Sequence, residues 1–391
     1  MSRPTFEVAD IVRSHGRTFI DRFGSQLSFQ QLKALNAIAR CRTAELGGHV
    51  DDCPCCGHAA IFYNSCRNRH CPKCQAQARQ RWLAAREAEL LATPYFHVVF
   101  TLPHQLALLC YRNQRVLYNL LFRSSAETML EIAADPKHLG AEIGFLSILH
   151  TWEQNLMLHP HVHCIVPAGG FAPDRKAWIR PRYAFFLPVK VLSRVFRGKF
   201  IEGMRRAYRQ KQLQFLGASA DLEDAARFES FVHILFREDW VVYAKPAMGG
   251  APQVLRYLGR YTHRVAISNH RLLAIEDDQV TFRWKDYAHG NKKRKMTVTG
   301  SEFLRRFVQH VLPRGFVRIR HFGFLANAHR TALLAVAREL MVESPESRPS
   351  PASVPADVRG WRCPLCGTPM RMGPSLTARQ LRSRCSYFDT S

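Results

Sequence analysis

The 391-residue sequence has no long uncharged apolar run, no signal-peptide pattern and no lipidation motif. A membrane-spanning or lipid-anchored chain is thereby disfavoured, and a soluble cytoplasmic protein with no membrane partner is the expectation. Acidic residues are scarce, with 31 Asp and Glu against 56 Lys and Arg, for a formal charge of +25. Such a deficit of acid is the electrostatic footprint of a nucleic-acid binder, a ribosomal-type or membrane-surface protein being the alternative. The G-x-x-x-x-G-K-[ST] loop that cradles nucleotide phosphates is also missing, so a nucleotide-triphosphate site of that type is not expected. What the chain has in quantity is apolar residues, 47% of the total with 11% aromatic, enough for buried cores in two or three domains.

Twelve cysteines without a secretory signal point to metal thiolates more than to disulfides. Two C-x-x-C knuckles, Cys53/Cys56 and Cys71/Cys74, are separated by fourteen residues, close to the spacing of a four-cysteine structural zinc ribbon. Cys66 and His70 are possible additional ligands, and Cys41, His49 and Cys55 are surplus, so a second ion or another ligand set stays open. A redox C-x-x-C is the competing reading, and four thiolates leave no open position for catalysis. Arg67, Arg69 and Lys73, interleaved with the ligands, would present charge to phosphate. Near the other end, Cys363-Pro364-Leu365-Cys366-Gly367 is half a knuckle, with only Cys385 beyond it; it either borrows ligands or binds nothing.

The central stretch is Leu158-His159-Pro160-His161-Val162-His163-Cys164-Ile165-Val166. Side chains two apart share one face of a strand, so His161 and His163 can converge on one divalent ion. Metallohydrolases often continue such a pair as H-x-H-x-D; here Ile165 occupies the aspartate's place, which argues against water activation. About ninety residues on, Arg256-Tyr257-Leu258-Gly259-Arg260-Tyr261 puts two phenols on one helix face, with Arg256, Arg260 and Arg264 around them. An i, i+4 aromatic pair is usually core packing, but arginines are poor company for a buried face. A phenol with a pKa near 10 needs an ion such as Mg²⁺ or Mn²⁺ to polarise the phosphodiester it attacks.

Elsewhere, residues 1–40 read as helical, with Ser28 and Gln31 in a capping-box pattern. Residues 105–134 read as one long helix and residues 189–213 as a basic one. Strands are expected over 95–102, 143–150, 159–166, 231–236 and 239–244. After Thr262 the chain turns strand-like again, with Lys292, Lys293 and Arg294 at a hairpin tip that would clamp phosphate. Residues 342–360, rich in Pro, Ser and Glu, read as a linker.

The His161-Val162-His163 triplet, the tyrosine pair and the block Ser65-Cys66-Arg67-Asn68-Arg69-His70-Cys71-Pro72-Lys73-Cys74 together resemble the rolling-circle insertion-sequence transposases of the two-tyrosine HUH class, the family typified by insertion sequence ninety-one. The resemblance runs from about residue 30 to 330, with the motifs in the family's order. It implies an α+β chain: a central antiparallel sheet with flanking helices, preceded by an N-terminal cysteine-rich zinc-binding domain. The expected boundaries are 1–92 for the helical and zinc-ribbon-like part, 93–335 for the nuclease and 336–391 for a linker and C-x-x-C tail. It further implies structural Zn²⁺, catalytic Mg²⁺ or Mn²⁺ on His161 and His163, and attack on single-stranded element ends by Tyr257 and Tyr261. The third ligand is open among Glu153, Gln154, His159 and His263. Two other readings stand beside it: a non-catalytic zinc-ribbon DNA-binding protein, and a plasmid replication initiator or relaxase with the same chemistry.

Overall fold

The computed structural model describes residues 4–182, 186–248, 253–254, 259, 266–286, 290, 292–342 and 361–385. Its helices are α1 (Val8–Phe23), α2 (Phe29–Ala39), α3 (Pro72–Glu87), α4 (Ala107–Arg112), α5 (Gln114–Ala134), α6 (Val189–Arg209) and α7 (Ala225–Phe236), followed by Gly300–Val308, Arg330–Val342 and Ala378–Cys385. The strands are β1 (Gly48–Asp52), β2 (Ala59–Tyr63), β3 (Tyr95–Thr101), β4 (Gly144–Trp152), β5 (Leu158–Pro167), β6 (Gly170–Phe171), β7 (Trp178–Ile179), β8 (Val242–Met248), β9 (Leu272–Glu276), β10 (Gln279–Asp286), β11 (Lys292–Thr299), β12 (Ile319–Gly323) and β13 (Ser375–Leu376). Two units result, one drawn from Met1–Ala78, Ile267–Val311 and Pro349–Ser391, the other from Arg79–Ala266 and Leu312–Arg348. The three consecutive segments expected from the sequence are thus replaced by two units that interleave along the chain. Residues 267–311 join the cysteine-rich unit because a pattern of strands does not say which core will take its apolar face.

In the cysteine-rich unit, α2 starts as the sequence indicates. Gln31 N–H donates to Ser28 Oγ at 3.3 Å and Ser28 N–H donates to Gln31 Oε1 at 2.8 Å, satisfying two donors that the first turn leaves orphaned. Gln31 Nε2 then reaches the Val308 carbonyl at 2.9 Å, tying α2 to the helix Gly300–Val308. The apolar residues of α1 and of that helix, among them Ile11, Val12, Phe19, Phe303 and Phe307, are fully buried. Two three-stranded sheets complete the unit, in the orders β13-β1-β2 and β11-β10-β9. Lys292, Lys293 and Arg294 therefore lie within the edge strand β11 rather than at a hairpin tip, and all three are exposed.

The second unit is built on a five-stranded antiparallel sheet in the order β12-β4-β5-β3-β8. Both faces are covered, so its strands read as nearly continuous apolar runs. Phe96, Val98, Phe100, Val162, Cys164 and Val166 point to a large core shared with α5 and α6. Tyr95, Leu146, Ile148 and Ile165 point the other way, where they meet Val254 and, less deeply, Trp82 and Leu83 of α3. Burying a large apolar side chain contributes about 1.5–3 kcal/mol, so this double coverage makes the sheet a stiff platform.

Two expectations fail locally. The long helix over 105–134 breaks at Asn113, whose side-chain amide donates to the carbonyls of Leu109 and Gln214 while its oxygen accepts from Gln214 N–H at 2.7 Å. Residues 231–236 are the end of helix α7, not a strand. Asp224 caps α7 by accepting from Arg227 N–H at 2.9 Å, and Phe228, Val232 and Leu235 are buried at helical spacing.

Candidate metal centre and cysteine clusters

His161 and His163 do share a face of β5, and β4 adds a third imidazole. The β4/β5 register sets His150 directly opposite His161 and Ile148 opposite His163, so His150 falls on the histidine face. One potential ligand atom from each of His150, His161 and His163 lies within 4.8 Å of the others, close enough to share one divalent ion. Their ring centroids are 4.3 Å (150–163), 4.8 Å (161–163) and 5.4 Å (150–161) apart.

Hydrogen bonds fix which nitrogens are presented. His161 Nδ1–H donates to the His159 carbonyl at 2.7 Å, directing Nε2 to the centre. His163 Nδ1 is 2.8 Å from Nε2 of the buried His97 on β3, and the two rings stack with their planes 8° apart. A metal-bound His163 would donate that Nδ1 proton to His97, the outer-shell arrangement that orients a ligating imidazole. Burial, with His159 nearby, pushes the His161 imidazole down to about 4, so it stays neutral, as a ligand must be. The donor set therefore fits a cation. Of the third-ligand candidates, Glu153 and His159 bind each other at 3.1 Å and are not in the cluster, and His263 lies outside the described residues. His150 and His97 were missed because each sits alone in an apolar strand and only the register reveals its company. Tyr257, Tyr261, Arg256, Arg260 and Arg264 lie outside the described residues.

The cysteines do not form the single ribbon expected. Cys71 and Cys74 gather with Cys41 and Cys66, whereas Cys53 and Cys56 gather with Cys363 and Cys366. The reason is the β1–β2 hairpin. Cys53 and Cys56 sit in its turn while Cys41 and Cys66 to Cys74 flank its open end, and a five-residue strand spans about 16 Å. In the first cluster, Sγ separations of 3.5–3.6 Å join Cys74 to Cys41 and Cys66. The neighbouring Cys41 thiol drives Cys71 up and Cys74 down. His70 is not in the cluster; its backbone N–H and Nδ1 turn to Asn68 Oδ1 at 2.8 and 3.2 Å.

The basic residues divide. Lys73 is ion-paired with Glu7, and Arg294 with Asp286 at 3.0 Å. Arg67 sits at φ +52° beside the cluster, and burial lowers the pKa of Arg69. In the sheet unit, a cavity of about 480 Å³ is lined by Arg115 and Arg123 of α5, Arg206 of α6 and Arg320 of β12.

Residues 144–332 match the family described as "Putative transposase", and residues 11–102 match the "Transposase zinc-binding domain". The chain is 51% identical to "Putative transposase y4qJ" of Sinorhizobium fredii over 381 residues, 97% of this chain and 95% of that one. It is 30% identical to the "Transposase for insertion sequence element IS801" of Pseudomonas savastanoi pv. phaseolicola over 362 residues, 87% of this chain and 82% of that one. No solved structure matches. These matches define the class, a transposase, for which DNA binding and DNA strand cleavage and transfer are the coarse activity. The chain belongs to the insertion sequence ninety-one family of transposases with an N-terminal zinc-binding domain. Among the described residues no helix is long and apolar enough to cross a membrane.

Proposed function

We propose that this transposase nicks and rejoins single-stranded DNA at element ends by a rolling-circle route, through a 5′-phosphotyrosine made by Tyr257 or Tyr261. The observation that carries this reading is the convergence of His150, His161 and His163 on one face of an antiparallel sheet. Val254 packs into the apolar cluster on that same face, and the backbone at Gly259 runs close to Leu83 of α3, so residues on either side of Tyr257 support the assignment.

The tyrosine hydroxyl gives up its proton and its oxygen bonds to phosphorus. The bond from phosphorus to the 3′ oxygen breaks, and that oxygen leaves as a 3′-hydroxyl once protonated. A 3′-hydroxyl from another strand reverses the exchange, which needs no ATP because one phosphoester replaces another. His150, His161 and His163 would hold a divalent ion, which would supply Lewis-acid polarisation of the scissile phosphate and stabilise the leaving oxygen. Nitrogen donors suit Mn²⁺ better than Mg²⁺, whose hard character prefers oxygen. Arg256, Arg260 and Arg264 offer charge-assisted contacts to phosphate, and the second tyrosine permits another cleavage while the first is occupied. Arg67, Arg69, Lys292 and Lys293 would grip DNA backbone phosphates.

Incubating the protein and Mn²⁺ with an end-sequence oligonucleotide yields a covalent adduct in this scheme. The Tyr257→Phe/Tyr261→Phe variant forms none, nor does His161→Ala/His163→Ala. Retention of DNA without any adduct by the wild type would instead describe a zinc-ribbon binding protein.

A further inference from the structure

We propose that the C-terminal knuckle, Cys363 and Cys366, completes a second structural zinc site with Cys53 and Cys56, pinning the end of the chain to the N-terminal hairpin. These two residues lie far outside the segment matched as a zinc-binding domain, residues 11–102.

The sulfur geometry is that of a ligand set. Cys53 Sγ is 3.4 Å from Cys366 Sγ, and Cys56 Sγ is 3.5 Å from Cys363 Sγ. A tetrahedron with zinc–sulfur bonds of about 2.3 Å has edges of about 3.8 Å, whereas a disulfide brings sulfurs to about 2.05 Å. All four sulfurs lie within 4.8 Å of one another, as the corners of one tetrahedron must.

The two knuckles are copies of one another. Both read Cys-Pro-x-Cys-Gly. Cys53 N–H donates to the His58 carbonyl at 2.8 Å and Gly57 N–H to the Cys53 carbonyl at 3.0 Å; Cys363 N–H donates to Thr368 at 2.8 Å and Gly367 N–H to Cys363 at 2.9 Å. Each turn ends on a glycine in the left-handed region, Gly57 at φ +69° and Gly367 at +75°, where a side chain would be strained. Such turns aim backbone amides at the sulfurs, a recurring trait of zinc knuckles.

Contacts that need no ion bring the halves together. β13 pairs with β1 through Gly48↔Leu376 and His49↔Ser375. Asp52 and Arg371 exchange backbone hydrogen bonds of 3.0 and 2.8 Å, and their side chains pair at 2.7 Å. Trp361 meets Phe62 edge-on at 5.3 Å. At Gly373 an added Cβ would stand 2.0 Å from the Val50 carbonyl oxygen, so the tail lies flush along β1. Four thiols held this close are satisfied by one Zn²⁺.

Elemental analysis of the purified full chain tests this. About two zinc ions per chain are expected, one per tetracysteine cluster. Cys363→Ser/Cys366→Ser should fall to about one, while Cys55→Ser, altering an exposed cysteine outside both clusters, should keep both. Tyr257→Phe/Tyr261→Phe should also keep both, which separates this inference from the cleavage reading. Should the double cysteine variant fail to fold, the wild type still decides. Native alkylation should spare Cys53, Cys56, Cys363 and Cys366 until a chelator is added, and cobalt exchange should give tetrathiolate charge-transfer absorption equal to two sites. One zinc per chain with Cys363 and Cys366 freely alkylated, or a Cys53–Cys366 disulfide found by mass spectrometry, overturns the proposal.

Discussion

Replacing His97 by Phe isolates the support that the metal centre receives from β3. His97 is 4% exposed, stacks on His163 at 5.1 Å and meets its Nδ1 at 2.8 Å, so Phe keeps the ring contact and removes the hydrogen-bond partner of His163 Nδ1. Losing an outer-shell partner of a ligating imidazole weakens metal binding by about 10–100-fold, or about 1.4–2.7 kcal/mol. A buried N–H left without its acceptor costs a further 1–3 kcal/mol or so of fold stability. Titration of the Mn²⁺-free protein by calorimetry should therefore show the affinity drop, and adduct formation should return at high Mn²⁺ with a nearly unchanged maximal rate. His97→Gln, which restores an acceptor, should recover most of the affinity. A folded His97→Phe protein that binds Mn²⁺ as tightly as the wild type would refute the assignment of His97 as a positioning residue.

His150→Ala should abolish Mn²⁺ binding in the same titration whereas His159→Ala should alter it less than about threefold, since only His150 is in the cluster; the reverse order would point to His159 as third ligand. Lys292→Ala/Lys293→Ala should lower the salt dependence of single-strand binding by about 0.7 in log–log slope per lost phosphate contact, measured by fluorescence anisotropy; an unchanged slope would remove β11 from the DNA path. For His321 on β12, burial, with Arg330 and Arg86 nearby, brings the imidazole down to about 4. Between pH 6.5 and about 4 the unfolded chain takes up a proton that the folded one refuses, so His321 destabilises the sheet unit as pH falls through that window and is neutral above it. His321→Gln should reduce acid destabilisation by about 2–3 kcal/mol at pH 4.5 in thermal or denaturant melts, and an identical pH profile would contradict it.

How much of this could be read from the sequence depends on the range of each interaction. The His161/His163 pair and the Ser28/Gln31 cap are legible because their geometry is set within one element, by strand alternation in one case and the first helical turn in the other. The third imidazole is not, since His150 reaches His161 only through strand pairing, and a one-residue slip would turn it into the opposite core. Cysteine spacing likewise identified two knuckles and mismatched them, because it counts residues and not the hairpin standing between them. Helix α7 was read as a strand from its last six residues; the capping Asp224 and the buried Phe228 that reveal its period lie before that window.

The contrast between the two kinds of centre follows from charge. Four thiolates around a divalent ion leave a net charge of about −2 and a filled tetrahedral shell, so such a cluster neither attracts DNA nor admits it. Arg67 and Arg69, set among those ligands, must first offset that charge before they can meet a phosphate. Three imidazoles contribute no charge, and the burial that keeps His161 neutral maintains that condition across the physiological range. An ion held by them would keep its full positive charge with coordination positions still open, and an anionic phosphodiester oxygen is the ligand best suited to fill them. A carboxylate at position 165, where this chain has isoleucine, would have cancelled half of that attraction and offered a base for water. Its absence favours a side-chain hydroxyl over a bound water as nucleophile, in keeping with the proposed attack by Tyr257 or Tyr261.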